Sequence, residues 1–286
     1  MTNLNFSCTK CGSCCKSAPQ LTTQETMDLS EHFFIQLSHY SILSYEKTPL
    51  SKELIEHYSR FCQIFFLPEK QCHLFYFVSL SSVNRPSAYC SKLSNNLCSI
   101  ENDKPLFCKA APLNIMMPEE KQIEIFNTQW APLINNNTFK CDTSLSAQKL
   151  IVNNAIAQEQ YQNDYYTLLN SIRQLTNFYV THVLSDEKKR KEHIGYCFES
   201  CSQTNSSLFY TSCLDLFDFY YKLSLINQYQ LDSFINKQKI FLKKEIAKAL
   251  IQKDLNDRSI TKLMRKELEK LENYIYEEEN DEVKFH

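Results

Sequence analysis

Residues Phe6-Ser7-Cys8-Thr9-Lys10-Cys11-Gly12-Ser13-Cys14-Cys15 form a C-x2-C-x2-C-C run. Thiolates at this spacing can turn onto one ion, because a tight loop brings both sulfurs to one point. Gly12 supplies the backbone freedom such a loop needs. Three thiolates spaced in this way also match the first three ligands of a bacterial ferredoxin cluster. The alternative is a set of independent thiols near a frayed terminus, which would oxidise readily. The run therefore predicts that the first part of the chain folds around a metal.

A second informative stretch is Tyr89-Cys90-Ser91-Lys92-Leu93-Ser94-Asn95-Asn96-Leu97-Cys98-Ser99-Ile100, continued by Lys104-Pro105-Leu106-Phe107-Cys108 and Ala111-Pro112. Its three cysteines sit beside turn-forming or polar residues, so loops could fold them back onto the first run. Cys8, Cys11, Cys14, Cys15, Cys90, Cys98 and Cys108 are the candidate metal ligands. Adjacent Cys14 and Cys15 side chains diverge, which points to two nearby metals, a bridging role or a multi-iron cluster. Seven thiolates exceed the four of one tetrahedral zinc or one cubane, and an eighth ligand would complete two sites. Such soft donors select zinc, iron–sulfur or copper(I) over magnesium and calcium.

The remaining cysteines read differently. Cys213 lies on an apolar stripe and Cys62 and Cys72 lie among aromatics, so burial is expected for all three. His73 beside Cys72 is a weak extra ligand. Cys197 and Cys201 are one helical turn apart but make only an incomplete pair, and Cys141 has no neighbour to suggest a role.

Composition narrows the function. Of 286 residues, only Gly12 and Gly195 are glycine. That removes the G-x-G-x-x-G dinucleotide loop and the phosphate-cradling P-loop. Net charge is −2 without a large basic block, so nucleic acid is not expected as the main partner. No apolar run approaches the roughly 18 residues of a membrane span, and Met1 to Lys10 lacks the apolar core of an export signal. Thirteen cysteines, an odd number, fit reduced thiols in a cytoplasmic protein better than a disulfide framework.

Periodicity predicts an α+β fold. Thr22 and Glu25 have capping-box spacing, so a helix is expected to start there and run toward Leu43. A short helix follows at 52–61. Strands are expected at 64–67, 73–78 and 121–126. Beyond about residue 145, stripes at Tyr161, Tyr165, Leu168, Ile172, Leu175 and Tyr179, and at Phe209, Cys213, Leu216, Tyr220 and Leu223, read as helices. Asp186 to His193 reads as a charged break, 231–255 and 260–275 as two helices or one kinked helix, and Glu277 to Asp281 as an acidic tail. The expected plan is a Cys-rich metal-binding half with short strands and helices, residues 1–145, then an all-helical half, residues 146–286.

Both cysteine stretches together resemble the CxxCxxCC family, the YkgJ-type cysteine-cluster proteins described as zinc- or iron-chelating domains. Phe6 to Cys15, Leu21-Thr22 with Glu25, Cys90, Cys98-Ser99-Ile100 and Pro105 to Cys108 follow the family pattern in order. Glu101, Lys104, Lys109 and Ala111 depart from it, and the match ends near residue 112. The resemblance implies metal chelation, by zinc or by an iron or iron–sulfur centre. The family is also similar to flagellin lysine N-methylases, which implies a protein lysine N-methyltransferase-like enzyme as an alternative. No general base and no glycine-rich S-adenosylmethionine loop accompany it. A third reading is a binding module whose helical half docks a protein partner.

Overall fold

Leu74, Phe75, Tyr76, Phe77 and Val78 follow one another without polar interruption, the pattern of a strand covered on both faces. The computed structural model describes residues 3–13, 15, 18–86, 90–95, 97–201 and 203–274, and that strand is its centre. In chain order the elements begin with β1 (Leu4–Asn5), β2 (Gln20–Leu21), α1 (Thr23–Asp28), β3 (Ile35–Tyr45), α2 (Lys52–Ser59), β4 (Gln63–Leu67) and β5 (Cys72–Ser82). Next come β6 (Leu93–Ser94), β7 (Leu97–Cys98), α3 (Leu106–Ala110), α4 (Gln122–Ile125), α5 (Ala131–Asn135), β8 (Lys149–Val152) and β9 (Ala155–Ile156). The chain continues through α6 (Glu159–Phe178), α7 (Glu187–Cys201), β10 (Ser206–Ser212), α8 (Leu214–Lys222), α9 (Gln228–Gln252) and α10 (Arg258–Glu272).

The main sheet is antiparallel. β3 and β5 pair along their whole length, from Ile35 opposite Ser82 to Tyr45 opposite Cys72. β10 covers the far edge of β3, from Ser206 opposite Ile42 to Ser212 opposite Gln36. The other edge of β5 is divided: β4 pairs with Cys72 to Tyr76, and β2 with Leu80 and Ser81. Between them the amide of Val78 donates to Thr176 Oγ1 of α6 at 3.1 Å. A buried side-chain hydroxyl thus stands where a neighbouring strand is missing, and it satisfies a donor that would be costly to leave unpaired.

The gap also lets α6 serve both sides of the sheet. Tyr165, Leu168, Leu169 and Ile172 join one core with Tyr58, Phe61, Phe75 and Phe77. Leu175, with Tyr179 just past the end of α6, joins the other, with Leu74, Tyr76 and Val78 from β5 and Phe217, Leu231, Phe234, Leu242 and Met264 from the later helices. Alternate β5 residues therefore feed different cores, as the period of two requires.

The fold is mixed α and β with antiparallel sheets, and it differs from expectation in several places. The capping box at Thr22 and Glu25 is present, but α1 ends at Asp28 and 35–45 is a strand. Ile35, Leu37 and Leu43 face one core at a period of two, and pairing with β5 overrides the local helical spacing. Residues 122–125 are helical, not a strand: Gln122 and Phe126, four apart, are both buried. The Gln122 side chain is fastened to the Asn114 and Met117 carbonyls at 2.8 and 2.7 Å. The expected break at 186–193 is the start of α7, because Asp186 Oδ1 accepts from the Lys189 amide at 2.7 Å and Glu187 pairs with Lys191. The acidic tail lies outside the described residues.

The second half is not all-helical, since β8, β9 and β10 belong to it. Nor does packing divide at residue 145. β1 pairs with β8, β10 with β3, and both cores draw on both halves. Gln238 of α9, buried, donates to the Ser30 and Phe33 carbonyls at 2.5 and 2.7 Å and accepts from the Ile35 amide at 3.3 Å. A helix from the second half thereby caps the start of a strand from the first.

Cys213 is buried, as its apolar setting predicts, although it stands at the start of α8 and not within a continuous helix from Phe209. Its thiol donates to the Ile35 carbonyl at 3.3 Å. Cys213→Ala is expected to cost roughly 1–3 kcal/mol by denaturant unfolding, the range of a small core truncation, and to leave metal content unchanged. Loss of metal in this variant would contradict a purely structural role. Cys62, Cys72, Cys197 and Cys201 are buried too.

Candidate metal centre

Phe6 anchors the first cysteine run. Its ring is buried and meets Phe126 and Trp130 edge-on, at centroid distances of 6.2 and 6.1 Å. Its amide donates to the Gln148 carbonyl at 2.8 Å. The next residue, Ser7, exchanges two backbone hydrogen bonds with Asp142, at 2.8 and 3.0 Å in antiparallel sense. Cys8 and Cys141 directly flank this bridge in the chain. Thr9 Oγ1 then donates to the Lys140 carbonyl at 2.5 Å. Beyond it the chain turns: Gly12 has a φ of 72°, and the Cys15 amide donates to the Gly12 carbonyl at 3.0 Å. That positive φ is the backbone conformation for which glycine is suited.

The second stretch is tied directly to the first. The Cys90 amide donates to the Cys15 carbonyl at 2.8 Å, and the Leu93 amide turns back onto the Cys90 carbonyl at 2.9 Å. Cys98 sits on β7, opposite Leu93 of β6. Cys108 is carried by α3, whose first turn starts at Pro105.

These segments enclose a cavity of about 800 Å³ on the sheet face that carries Gln20 and Tyr40. Cys8, Cys11, Cys15, Cys90, Cys98 and Cys108 all line it, and Cys14 lies outside the described residues. Cys141 lines it as well, although no spacing in the chain marks it as a ligand. No spacing rule links Cys141 to the first run; the Ser7–Asp142 pairing and the Thr9–Lys140 hydrogen bond bring it there. Cys62, Cys72, Cys197, Cys201 and Cys213 are not among the lining residues. Neither is His73, whose ring stands 4.9 Å from that of Phe66.

The walls carry charge of both signs. Lys10, Lys92, Lys104 and Lys109 line the cavity, with Glu101 and Asp164. Glu101 pairs with Lys10 at 3.3 Å and Lys104 at 3.4 Å. Burial raises the Cys11 thiol, but hydrogen bonds with Ser13, the Lys140 backbone and Thr9 outweigh it and bring the thiol down to about 7. Burial pushes the Cys90 thiol up, with nearby Cys98 adding to the effect. For Lys104, burial works against the charged form, yet Glu101 and the thiols of Cys8 and Cys108 outweigh it and raise its pKa.

Among the described residues, no three His, Cys, Asp or Glu side chains form a ready-made cage for one ion. The thiols are distributed around the wall of the cavity. Phe107, Trp130, Tyr161, Gln160 and Asp164 add aromatic and polar groups to the same lining. No family model, curated protein or solved structure matches this chain. No helix among the described residues is long and apolar enough to cross a membrane.

Proposed function

We propose that this protein holds zinc, or an iron or iron–sulfur centre, in the cysteine-lined cavity. One observation carries the reading: cysteines from three separate segments, residues 8–15, 90–108 and 141, line a single cavity. The donor chemistry fits the group, since clustered thiols are soft ligands. The seven cysteines expected from sequence and Cys141 amount to eight, the number that two four-thiolate sites require. The neighbouring lysines offset the negative charge such sites would carry. An iron–sulfur centre would supply one-electron transfer, whereas zinc would act as a crosslink between the loops. The similarity to the CxxCxxCC family points the same way.

The volume of the cavity favours a second reading, a protein lysine N-methyltransferase-like enzyme built on the cluster. About 800 Å³ is in the range that holds a whole organic molecule, more than an ion needs. Calorimetry with S-adenosylmethionine tests that reading, and absence of binding by metal-loaded protein removes it.

Protein purified without oxygen is expected to contain metal in stoichiometric amount. Elemental analysis, acid-labile sulfide and the optical spectrum identify it: brown colour with sulfide-to-iron absorption for iron–sulfur, a colourless zinc protein otherwise. Cys8→Ser and Cys108→Ser are each expected to lower metal content by at least half, and Cys62→Ser to leave it unchanged. A wild-type protein without metal, after growth with either zinc or iron added, would rule the proposal out.

A further inference from the structure

The carboxylate of Glu25 joins two parts of the chain that are far apart in sequence. Its Oε2 accepts from the Thr22 amide at 2.9 Å, closing the capping box of α1, while the Glu25 amide donates to Thr22 Oγ1 at 3.1 Å. Its Oε1 is turned outward and accepts from the Leu106 amide at 2.7 Å. A capping box uses only one oxygen of its glutamate. The second oxygen here reaches the first residue of α3, two positions before Cys108.

The need for this bond follows from α3 itself. The first amides of any helix lack intrahelical acceptors. α3 has five residues, and its preceding residue, Pro105, offers no side-chain cap. A helix this short has little stability of its own. Without Glu25 the Leu106 amide would have to find another acceptor, and the turn carrying Cys108 would lose a bond that ties it to α1. A charge-assisted hydrogen bond of this kind is stronger than a neutral one.

We infer that Glu25 is a positioning residue that holds Cys108 at the cavity wall by accepting the Leu106 amide. Its relevance to metal binding rests on the proposal above, but the positioning can be tested without metal. A glutamine in its place has one acceptor oxygen, so Glu25→Gln can satisfy the Thr22 amide or the Leu106 amide, not both. Thr22→Ala removes the hydroxyl that caps Glu25 and leaves both carboxylate bonds in place.

The experiment is alkylation of Cys108 by iodoacetamide in chelator-treated full-length protein, followed residue by residue by mass spectrometry, with buried Cys213 as the reference for global opening. Glu25→Gln is expected to raise the Cys108 rate about tenfold relative to the wild type, the scale set by losing one charge-assisted hydrogen bond. Thr22→Ala should change it by less than about threefold, the scale of a neutral cap. Equal increases in both variants, or none in Glu25→Gln, would overturn the inference. Hydrogen exchange of the wild type gives a second reading that needs no variant: the Leu106 amide should be protected, and free exchange there would also overturn it. If the Cys108 contrast holds while the wild type takes up no metal, the metal proposal fails and the positioning role stands. If metal binds but the contrast is absent, only the positioning role fails.

Discussion

Cut at residue 145, neither piece of the chain is expected to fold alone. The first piece keeps β3 and β5 but loses β10 from the edge of β3 and the helices that cover the sheet. Leu37, Leu43, Leu74, Val78 and Leu80, all at most 3% exposed in the whole chain, would be left facing water. Five such side chains represent about 8–15 kcal/mol of burial, as large as the entire stability of an ordinary domain. The second piece loses the surface on which α7, α8 and α9 rest, and β10 loses its only partner strand among the described residues. Circular dichroism and hydrogen exchange on 1–145 and 146–286, produced separately, should show little protection in either, and co-expression should restore a folded complex. A 146–286 fragment that unfolds cooperatively by itself would show that the later helices form an independent domain.

Arg85→Ala is the point substitution with the largest expected cost. The Arg85 guanidinium is buried and meets three groups from the end of α9 and the turn after it. Its Nη1 donates to Gln252 Oε1 at 2.6 Å and to Asp257 Oδ2 at 3.0 Å, and its Nη2 lies 3.6 Å from Glu245 Oε2. Glu245 and Asp257 are buried as well. Removing one partner of a buried ion pair leaves charge uncompensated in a poor solvent for it, at a cost of about 3–5 kcal/mol. Arg85→Lys keeps the charge but not the planar fork, so an intermediate loss is expected. Denaturant midpoints at constant m-value measure both. A loss below about 1 kcal/mol for Arg85→Ala, the scale of an exposed pair, would mean that water reaches this network.

What could be read from the chain in advance was local. The strand character of 63–67 and 72–82, the helix at 52–59 and the long helices at 159–178, 228–252 and 258–272 all show in hydrophobic spacing over a few residues. The cysteine stretches could be picked out for the same reason, because ligand spacing is a local property. What was hidden depends on distant partners. The capping box at Thr22 and Glu25 points to a helix continuing toward Leu43, and pairing with the strand from 72 to 82 turns residues 35–45 into β3 instead. Phe209 fits the 4, 3 rhythm of a helix, yet the exposed edge of β3 draws 206–212 into the sheet. Cys141 is in the same position, brought to the cavity that Cys8 lines by a Ser7–Asp142 bridge that leaves no trace in the spacing of either cysteine.

The place of β10 bears on the order in which the molecule can be assembled as it is synthesised. β3, β5, β4 and β2 can associate early, but the edge of β3 stays open until residue 212 has been made. At ordinary elongation rates about 10–40 s separate the synthesis of Cys15 from that of Ser212. Cys8, Cys11 and Cys15 are made long before then, while Cys141 and the α6 wall of their cavity come later. The segment richest in oxidisable sulfur is therefore translated before the elements that enclose it. The fraction of nascent chains that reach the folded state with intact thiols is thus set by how reducing the surroundings remain over that interval.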